Sequence, residues 1–331
     1  MDAPPLMHAN LVDIENRAGD AAAPALQLFE GPESPGGQAV WADQLVSRVL
    51  DDADRRQTQR TAGRNTSGFP TGIPGLDRVL NGLSPRGLYI LGGAPGAGKT
   101  SLCLQIACEV ARHAPVLYVT FENSPENLVL KAICRLGLVQ PGAVERGRAD
   151  TSRLAEGVQA FSSIAGRMAI VEGTSRTTLD SIRTQAEQVG SKHDTGQCLI
   201  IVDYLQRLAV HQEYGSIAEN IASISLGLRE LASRLDSPIV AISSLSRASN
   251  YDTPTLQALQ GSEDLEFAAD VVLLLGTRQE VSLSSRAAIR STASARLLDL
   301  TVAKNRYGEA GKRVSLVFRP NVGDFVEDTR A

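Results

Sequence analysis

A chain of 331 residues with 43% hydrophobic residues can bury a sizeable core, which excludes disorder throughout and fits one large α/β domain or two small ones. A formal charge of -4 argues against a generally basic nucleic-acid coat, while a local positive channel stays compatible with it. Cys103, Cys108, Cys134 and Cys198 lie apart in apolar segments without metal-ligand spacing, and no apolar run approaches a membrane span, so the expectation is a cytoplasmic protein with buried thiols and no membrane contact.

Residues 1–37 are rich in Ala, Pro and Gly and predict a flexible arm. Residues 38–66 read as a linker. Its helix over 38–60 places Trp41, Leu45, Val49 and Val46 on one side, a stripe suited either to its own domain or to a neighbouring subunit. From 67 to 331 the pattern is that of a nucleotide domain. The segment 67–87 has turn signals around a short helix, Gly75 to Leu80, and leads into the apolar run at 88–92.

Directly after that run comes GAPGAGKT, a full match to G-x-x-x-x-G-K-[ST] set between a strand pattern and a helix pattern. Closely placed glycines let successive N–H groups turn inward around phosphates, and the following helix offers its positive end. Gly93, Ala94, Pro95, Gly96, Ala97, Gly98, Lys99, Thr100 and Ser101 are the expected nucleotide-binding set. Lys99 is expected to reach the β and γ phosphates of ATP, and the Thr100 hydroxyl to ligate Mg²⁺.

The next strands are expected at 116–121, 168–172, 198–203, 238–243 and 270–275, alternating with helical patterns in the earlier part, which predicts a three-layer α/β core with a mainly parallel sheet. Strand 116–121 delivers Glu122 at the ligand edge, where it is assigned to the attacking water. A helix-cap carboxylate is the alternative, although Glu126, in Ser124-Pro125-Glu126, is better placed for that duty. Asp203, at the tip of a wholly apolar strand, is positioned to support the Mg²⁺ shell. Ser244 ends the strand at 237–245, where its hydroxyl either senses the γ phosphate or the catalytic water or caps a turn.

The polar insertion at 280–295 commits to neither period and predicts a mobile loop. Beyond it, strands at 298–303 and 313–318 joined by the turn Tyr307–Gly311 predict a C-terminal β-hairpin. Lys304 and Arg306 are two residues apart and share a face, which suits either a solvated edge or the stabilisation of charge on transferring phosphoryl oxygens. At a subunit boundary they would complete a neighbour's site.

TGIPGLDRVLNGL at 71–83, GAPGAGKT, the Glu122 strand, IVDYLQ at 201–206, AISSLSR at 241–247, LEFAADVVLLL at 265–275 and VAKNRYG at 302–308 together resemble the motor domain of DnaB-type replicative helicases over about residues 67–327. IVDYLQ favours this branch over the RadA-like and KaiC-like ATPases. The resemblance implies a RecA-like P-loop NTPase core and a homo-oligomeric ring, a hexamer being the candidate form, with a magnesium-bound nucleotide between subunits. It implies that Lys99 and Thr100 hold phosphate and metal, Asp203 supports the metal, Glu122 activates water, and Lys304 with Arg306 reaches the neighbour's γ phosphate. It implies ATP-driven movement along single-stranded DNA or strand separation, with a replication or regulatory protein as a further partner. HQEYGS at 211–216 and the loop carrying Arg286, Arg290 and Arg296 are the DNA-contact candidates. The alternative activities are a RecA-like ATPase that remodels a protein partner without unwinding DNA, and a slowly hydrolysing nucleotide-controlled scaffold.

Two departures stand out. This chain has Ser244-Leu245-Ser246-Arg247 where the family usually has Gln followed by Leu-Asn-Arg, and a hydroxyl lacks the reach and two-point bonding of Gln. The family's helical domain before the motor is represented here only by the arm and the 38–60 helix. A ring without that collar is therefore expected, and primase recruitment through the collar is not carried over.

Overall fold

The computed structural model describes residues 41–61, 66–210, 217–245, 254–259, 262–278 and 295–329. The expected arm at 1–37, the segment 211–216, Ser246, Arg247, Arg286, Arg290 and nearly all of the 280–295 insertion lie outside the described residues. The chain divides between Asp52 and Ala53 into two units. Helix α1 (Ala42–Thr61) forms where a helix was expected, with Asp43 in its first turn favourably placed for the helix dipole. Trp41 beside it is 71% exposed and Val49 64%, and Leu45 and Val46 are exposed too.

After α1, whose second half already belongs to the second unit, comes α2 (Pro74–Leu80), which starts on a proline whose missing N–H costs nothing there and ends at Asn81 in the left-handed region. Next come β1 (Leu88–Gly93), α3 (Lys99–Val110), β2 (Val116–Thr120), α4 (Pro125–Leu136), α5 (Pro141–Glu145), α6 (Thr151–Ala165) and β3 (Met168–Glu172). They are followed by α7 (Leu179–Lys192), β4 (Leu199–Asp203), α8 (Leu205–Val210), α9 (Ile217–Arg234), β5 (Ile239–Ser244) and α10 (Ser262–Ala268). Strands β6 (Val271–Thr277), β7 (Arg296–Asn305), β8 (Arg313–Arg319) and β9 (Asp324–Glu327) complete the unit.

Among the described residues the nine strands form one sheet in the order β3-β2-β4-β5-β1-β6-β7-β8-β9. The strands from β3 across to β6 are parallel. Every residue of β1, β2 and β4 is buried, because helices cover both faces, and this is why those strands read as unbroken apolar runs. Tyr89, Leu91, Tyr118, Ile201 and Ile242 pack on one side with Leu102, Ile106 and Leu128 of α3 and α4. Leu88, Ile90, Leu117, Ile200 and Ile239 pack on the other with Ile182, Ile224 and Leu228 of α7 and α9. Full burial of one such aliphatic side chain contributes about 1.5–3 kcal/mol, so this double-sided core dominates the fold's stability.

The C-terminal hairpin is larger than expected. Strand β7 pairs antiparallel with β6, β8 with β7, and β9, which the sequence did not reveal, with β8. Gln105 on α3 pins β9 in place, its side-chain amide accepting from the Phe325 N–H and donating to the Phe325 carbonyl, each at 2.9 Å.

Candidate nucleotide-binding site

The parallel strands deliver their carboxyl ends to one edge. Gly93 pairs in register with Ser244, and Thr120 with Asp203, so the tips of β1, β5, β2 and β4 converge there, the crevice side of an open α/β sheet. Between β1 and α3 the glycine-rich loop turns through Gly96 at φ +73° and Gly98 at φ +97°, conformations that favour glycine. At Gly98 space forbids a side chain as well, since a Cβ would meet the rings of Phe318 and Phe325 at 2.8–2.9 Å. Those rings stack with centroids 4.3 Å apart and brace the loop from β8 and β9.

Lys99 opens α3 and lays its Nζ across the loop, donating to the carbonyls of Gly93 at 2.8 Å and Ala94 at 3.0 Å. Burial pushes its ammonium below the usual lysine value, and the charges of Asp203 and Glu122 oppose that shift. Thr100 and Ser101 follow on the first turn of a helix whose leading N–H groups face the loop.

Asp203, at the tip of β4, is 1% exposed. Burial raises its carboxyl above the ordinary value, while hydrogen bonds from the Thr100 hydroxyl and from Tyr118 work in the opposite direction. Tyr118 Oη donates to Asp203 Oδ2 at 3.0 Å from the neighbouring strand. The Phe121 N–H donates to the Asp203 carbonyl at 2.7 Å, tying the end of β2 to the tip of β4, and exposed Glu122 follows directly. A buried carboxylate joined to a hydroxyl is a hard-oxygen donor set, and it fits Mg²⁺ rather than a soft metal.

Glu122 is not a helix cap. The cap is Ser124, whose Oγ accepts the Asn127 N–H at 3.2 Å, with exposed Glu126 in the first turn. Lys131 was not anticipated from sequence. Its Nζ bonds Asn123 Oδ1, and its ammonium, pushed down by burial, is held up by the charges of Asp203 and Glu122.

Ser244 stands beside the first loop glycine. Its N–H donates to Gln206 Oε1 at 3.2 Å, while Gln206 Nε2 donates to Ser243 Oγ at 2.8 Å. An amide does reach the β5 tip in this chain, but it comes from α8.

Lys304 and Arg306 occupy the opposite edge of the sheet. Val272, near the start of β6, pairs with Lys304, whose Nζ donates to the Glu266 carbonyl. Arg306, just past the end of β7, donates to the Phe267 carbonyl at 2.6 Å and pairs with Asp270 at 3.4 Å. Asp270 also takes the N–H of Leu88, the first residue of β1. The six residues of β1 span about 17 Å or more between that point and the loop, at the ordinary strand rise. Arg296, expected on a DNA-contact loop, is instead the first residue of β7, and its Nη1 donates to the Gly96 carbonyl at 3.2 Å.

The family described as DnaB-like helicase C terminal domain matches residues 68–327. The chain belongs to this family. Replicative DNA helicase DnaB of Geobacillus stearothermophilus is 27% identical over 269 residues, which cover 78% of this chain and 56% of the relative. Replicative DNA helicase DnaB of Helicobacter pylori is 30% identical over 246 residues, covering 72% and 50% respectively. The chain thus spans about half the length of the curated relatives it matches. Among solved structures, an isolated ATPase domain superposes with a TM-score of 0.74 at 23% identity, covering 87% of this chain and 99% of that one. A DnaB-like replicative helicase solved for its interactions with primase gives 0.71 at 23% identity, covering 96% and 70%. These two likenesses confirm the RecA-like α/β fold, and membership of the DnaB-like family carries nucleotide use.

Sequence reasoning missed Tyr118, Lys131 and Gln206 as neighbours of the site. Tyr118 carried a signal, being a phenol in an otherwise aliphatic strand beside the one that ends in Asp203, whereas Lys131 and Gln206 depend on helix placement.

Proposed function

We propose that this chain is the Mg²⁺-dependent ATPase motor of a DnaB-type helicase, a ring-forming homo-oligomer, with a hexamer as the candidate assembly, that acts on single-stranded DNA in the cytoplasm. In this reading residues 67–331 are the motor and 38–66 the linker, whose apolar stripe seats on an adjacent motor domain. Residues 1–37 are an arm, and a replication or regulatory protein is a further partner. Residues Gly93–Ser101 cradle the phosphates, Lys99 reaches the β and γ groups, and Thr100 and Asp203 hold the metal. Bound Mg²⁺ would neutralise charge on the phosphate oxygens. Glu122 orients and deprotonates the attacking water, Lys131 keeps that carboxylate in place, and Ser244, positioned by Gln206, faces the γ phosphate.

One observation carries the proposal: the cations and the phosphate loop lie at opposite edges of one sheet. Arg306 is anchored to Asp270, which bonds the start of β1, while the loop follows its end. Cations placed there serve a phosphoryl group only on another copy of the chain, so hydrolysis requires assembly.

The test is steady-state ATP hydrolysis by Lys99→Ala and Arg306→Ala, alone and mixed, with and without single-stranded DNA. Each variant alone is expected to be inactive, the mixture to regain activity through sites built from one intact loop and one intact donor, and DNA to stimulate the wild type. A mixture as inactive as its components would refute the shared site. Robust hydrolysis indifferent to DNA would favour an ATPase acting on a protein partner.

A further inference from the structure

Strand β7 runs antiparallel to β1 and β6, so it begins at the phosphate-loop edge and ends at the edge that holds Lys304 and Arg306. Its first residue, Arg296, lies opposite Phe318 of β8, and this cross-strand pair meets the loop at two glycines. The Phe318 ring lies against Gly98, and the Arg296 guanidinium donates to the carbonyl of Gly96 at 3.2 Å. A Cβ built on Gly96 would meet nothing within 4 Å, so the space beside this contact is open.

Several arginines in and around this half of the sheet are charge-paired. Arg278 holds Asp299 and Asp328, Arg319 and Arg135 share Asp324, and Arg306 and Arg229 share Asp270. Among the described residues Arg296 has no carboxylate partner and rests on a neutral carbonyl of a loop that already carries Lys99. The acidic groups of the site, Asp203 and Glu122, follow β4 and β2 on one side of β1, whereas Arg296 arrives from β7 on the other. Two cations facing one loop, with the carboxylates confined to one flank, leave the second flank complementary to an anion.

We propose that Arg296 is a ligand, from the same chain, of the bound nucleotide's polyphosphate, closing the flank of the loop that faces away from Asp203 and Glu122. The inference rests on the reading of residues 93–101 as the nucleotide site. The guanidinium is already in contact with the loop, and its fork of donors is better matched to phosphate oxygens than to a single carbonyl. The strand that supplies it is fixed by pairing to β6 and β8, so the contact comes from the framework of the sheet.

Equilibrium titration of ATP, ADP and inorganic tripolyphosphate into wild type, Arg296→Ala, Arg296→Lys and Lys99→Ala tests this. Arg296→Ala is expected to weaken all three ligands by about tenfold, the size of a charge-assisted hydrogen bond, with partial recovery in Arg296→Lys and an unchanged urea midpoint without ligand. Unchanged affinities in Arg296→Ala, with Lys99→Ala still defective, would overturn the role of Arg296 alone. Weakened nucleotide binding with intact tripolyphosphate binding would also overturn it, by moving the contact to the base or sugar. A wild-type chain that binds none of the three would overturn the nucleotide reading itself.

Discussion

Asp270 holds Arg306 at 3.4 Å from a position only 2% exposed, and its second oxygen accepts the Leu88 N–H at 2.9 Å while pairing with Arg229 at 3.0 Å. One carboxylate thereby fixes the start of β1, the end of β7 and the body of α9. Asparagine there keeps an acceptor for Leu88 and loses the charge that orients both guanidinium groups. Both arginines are partly solvated, which limits the stability cost to about 1–2 kcal/mol. Asp270→Asn is therefore expected to lower the urea midpoint modestly, to reduce assembly-dependent hydrolysis tenfold or more, and to leave nucleotide affinity intact. A loss of nucleotide affinity equal to the loss of hydrolysis would contradict the separation of the two edges.

Asp203 gives a pH signature. Burial is the main cause that raises its carboxyl above the ordinary 3.8. A raised folded value means that the native state binds the proton more readily than the unfolded chain does. The associated stability is fully present below 3.8 and is lost as pH rises through the folded value. Asp203→Asn removes a buried charge while retaining an acceptor for Tyr118. At pH 8 the variant is expected to resist urea better than wild type, with the gap closing as pH falls toward 3.8, and to be inactive in hydrolysis. A variant less stable than wild type at pH 8 would show that the ionised carboxylate is a net stabiliser.

Gly98→Ala joins two penalties at one position. The residue sits at φ +97°, and its added methyl group would press on Phe318 and Phe325. Left-handed backbone strain alone costs about 1–2 kcal/mol for a residue with a Cβ, and displacing two stacked rings adds to it. The variant is expected to lose nucleotide binding together with at least that much stability in denaturant titration. Full stability with lost binding would mean that the rings yield freely.

Gln206→Leu leaves the Ser244 N–H and the Ser243 hydroxyl without their amide partner. The Ser243 hydroxyl still donates to the Ser244 carbonyl at 3.4 Å, so the loss falls on the Ser244 N–H; an unsatisfied N–H costs about 1–3 kcal/mol, and a clear drop in the unfolding midpoint is expected. If Gln206 positions Ser244 for catalysis, kcat should fall with little change in KM. A fall in stability with kcat preserved would reduce the network to a structural one.

Strands buried on both faces were legible because burial leaves an unbroken apolar run, and GAPGAGKT was legible because its spacing is a direct image of backbone geometry. Strand β9 was missed because Asp324–Glu327 is four residues long, begins and ends with an acid and holds its place through Gln105, an interaction across the fold. The convergence of Tyr118 on Asp203 depends on the register of β2 against β4, and that of Gln206 on Ser244 on where α8 lies relative to β5; neither leaves a local pattern. Arg296 was read as part of the preceding polar insertion because no periodic feature marks the point where β7 begins.

The antiparallel course of β7 has a consequence for stoichiometry. With the shared site proposed above, a chain that offers its loop at one edge and its donors at the other is a directional unit, and such units joined head to tail in an open row would always leave one loop without a donor and one donor without a loop. Only closure makes the number of finished centres equal to the number of chains. Turnover per chain should therefore climb with the length of an open row and reach its ceiling when the row closes on itself, so that the rate curve itself reports whether the assembly is a line or a ring.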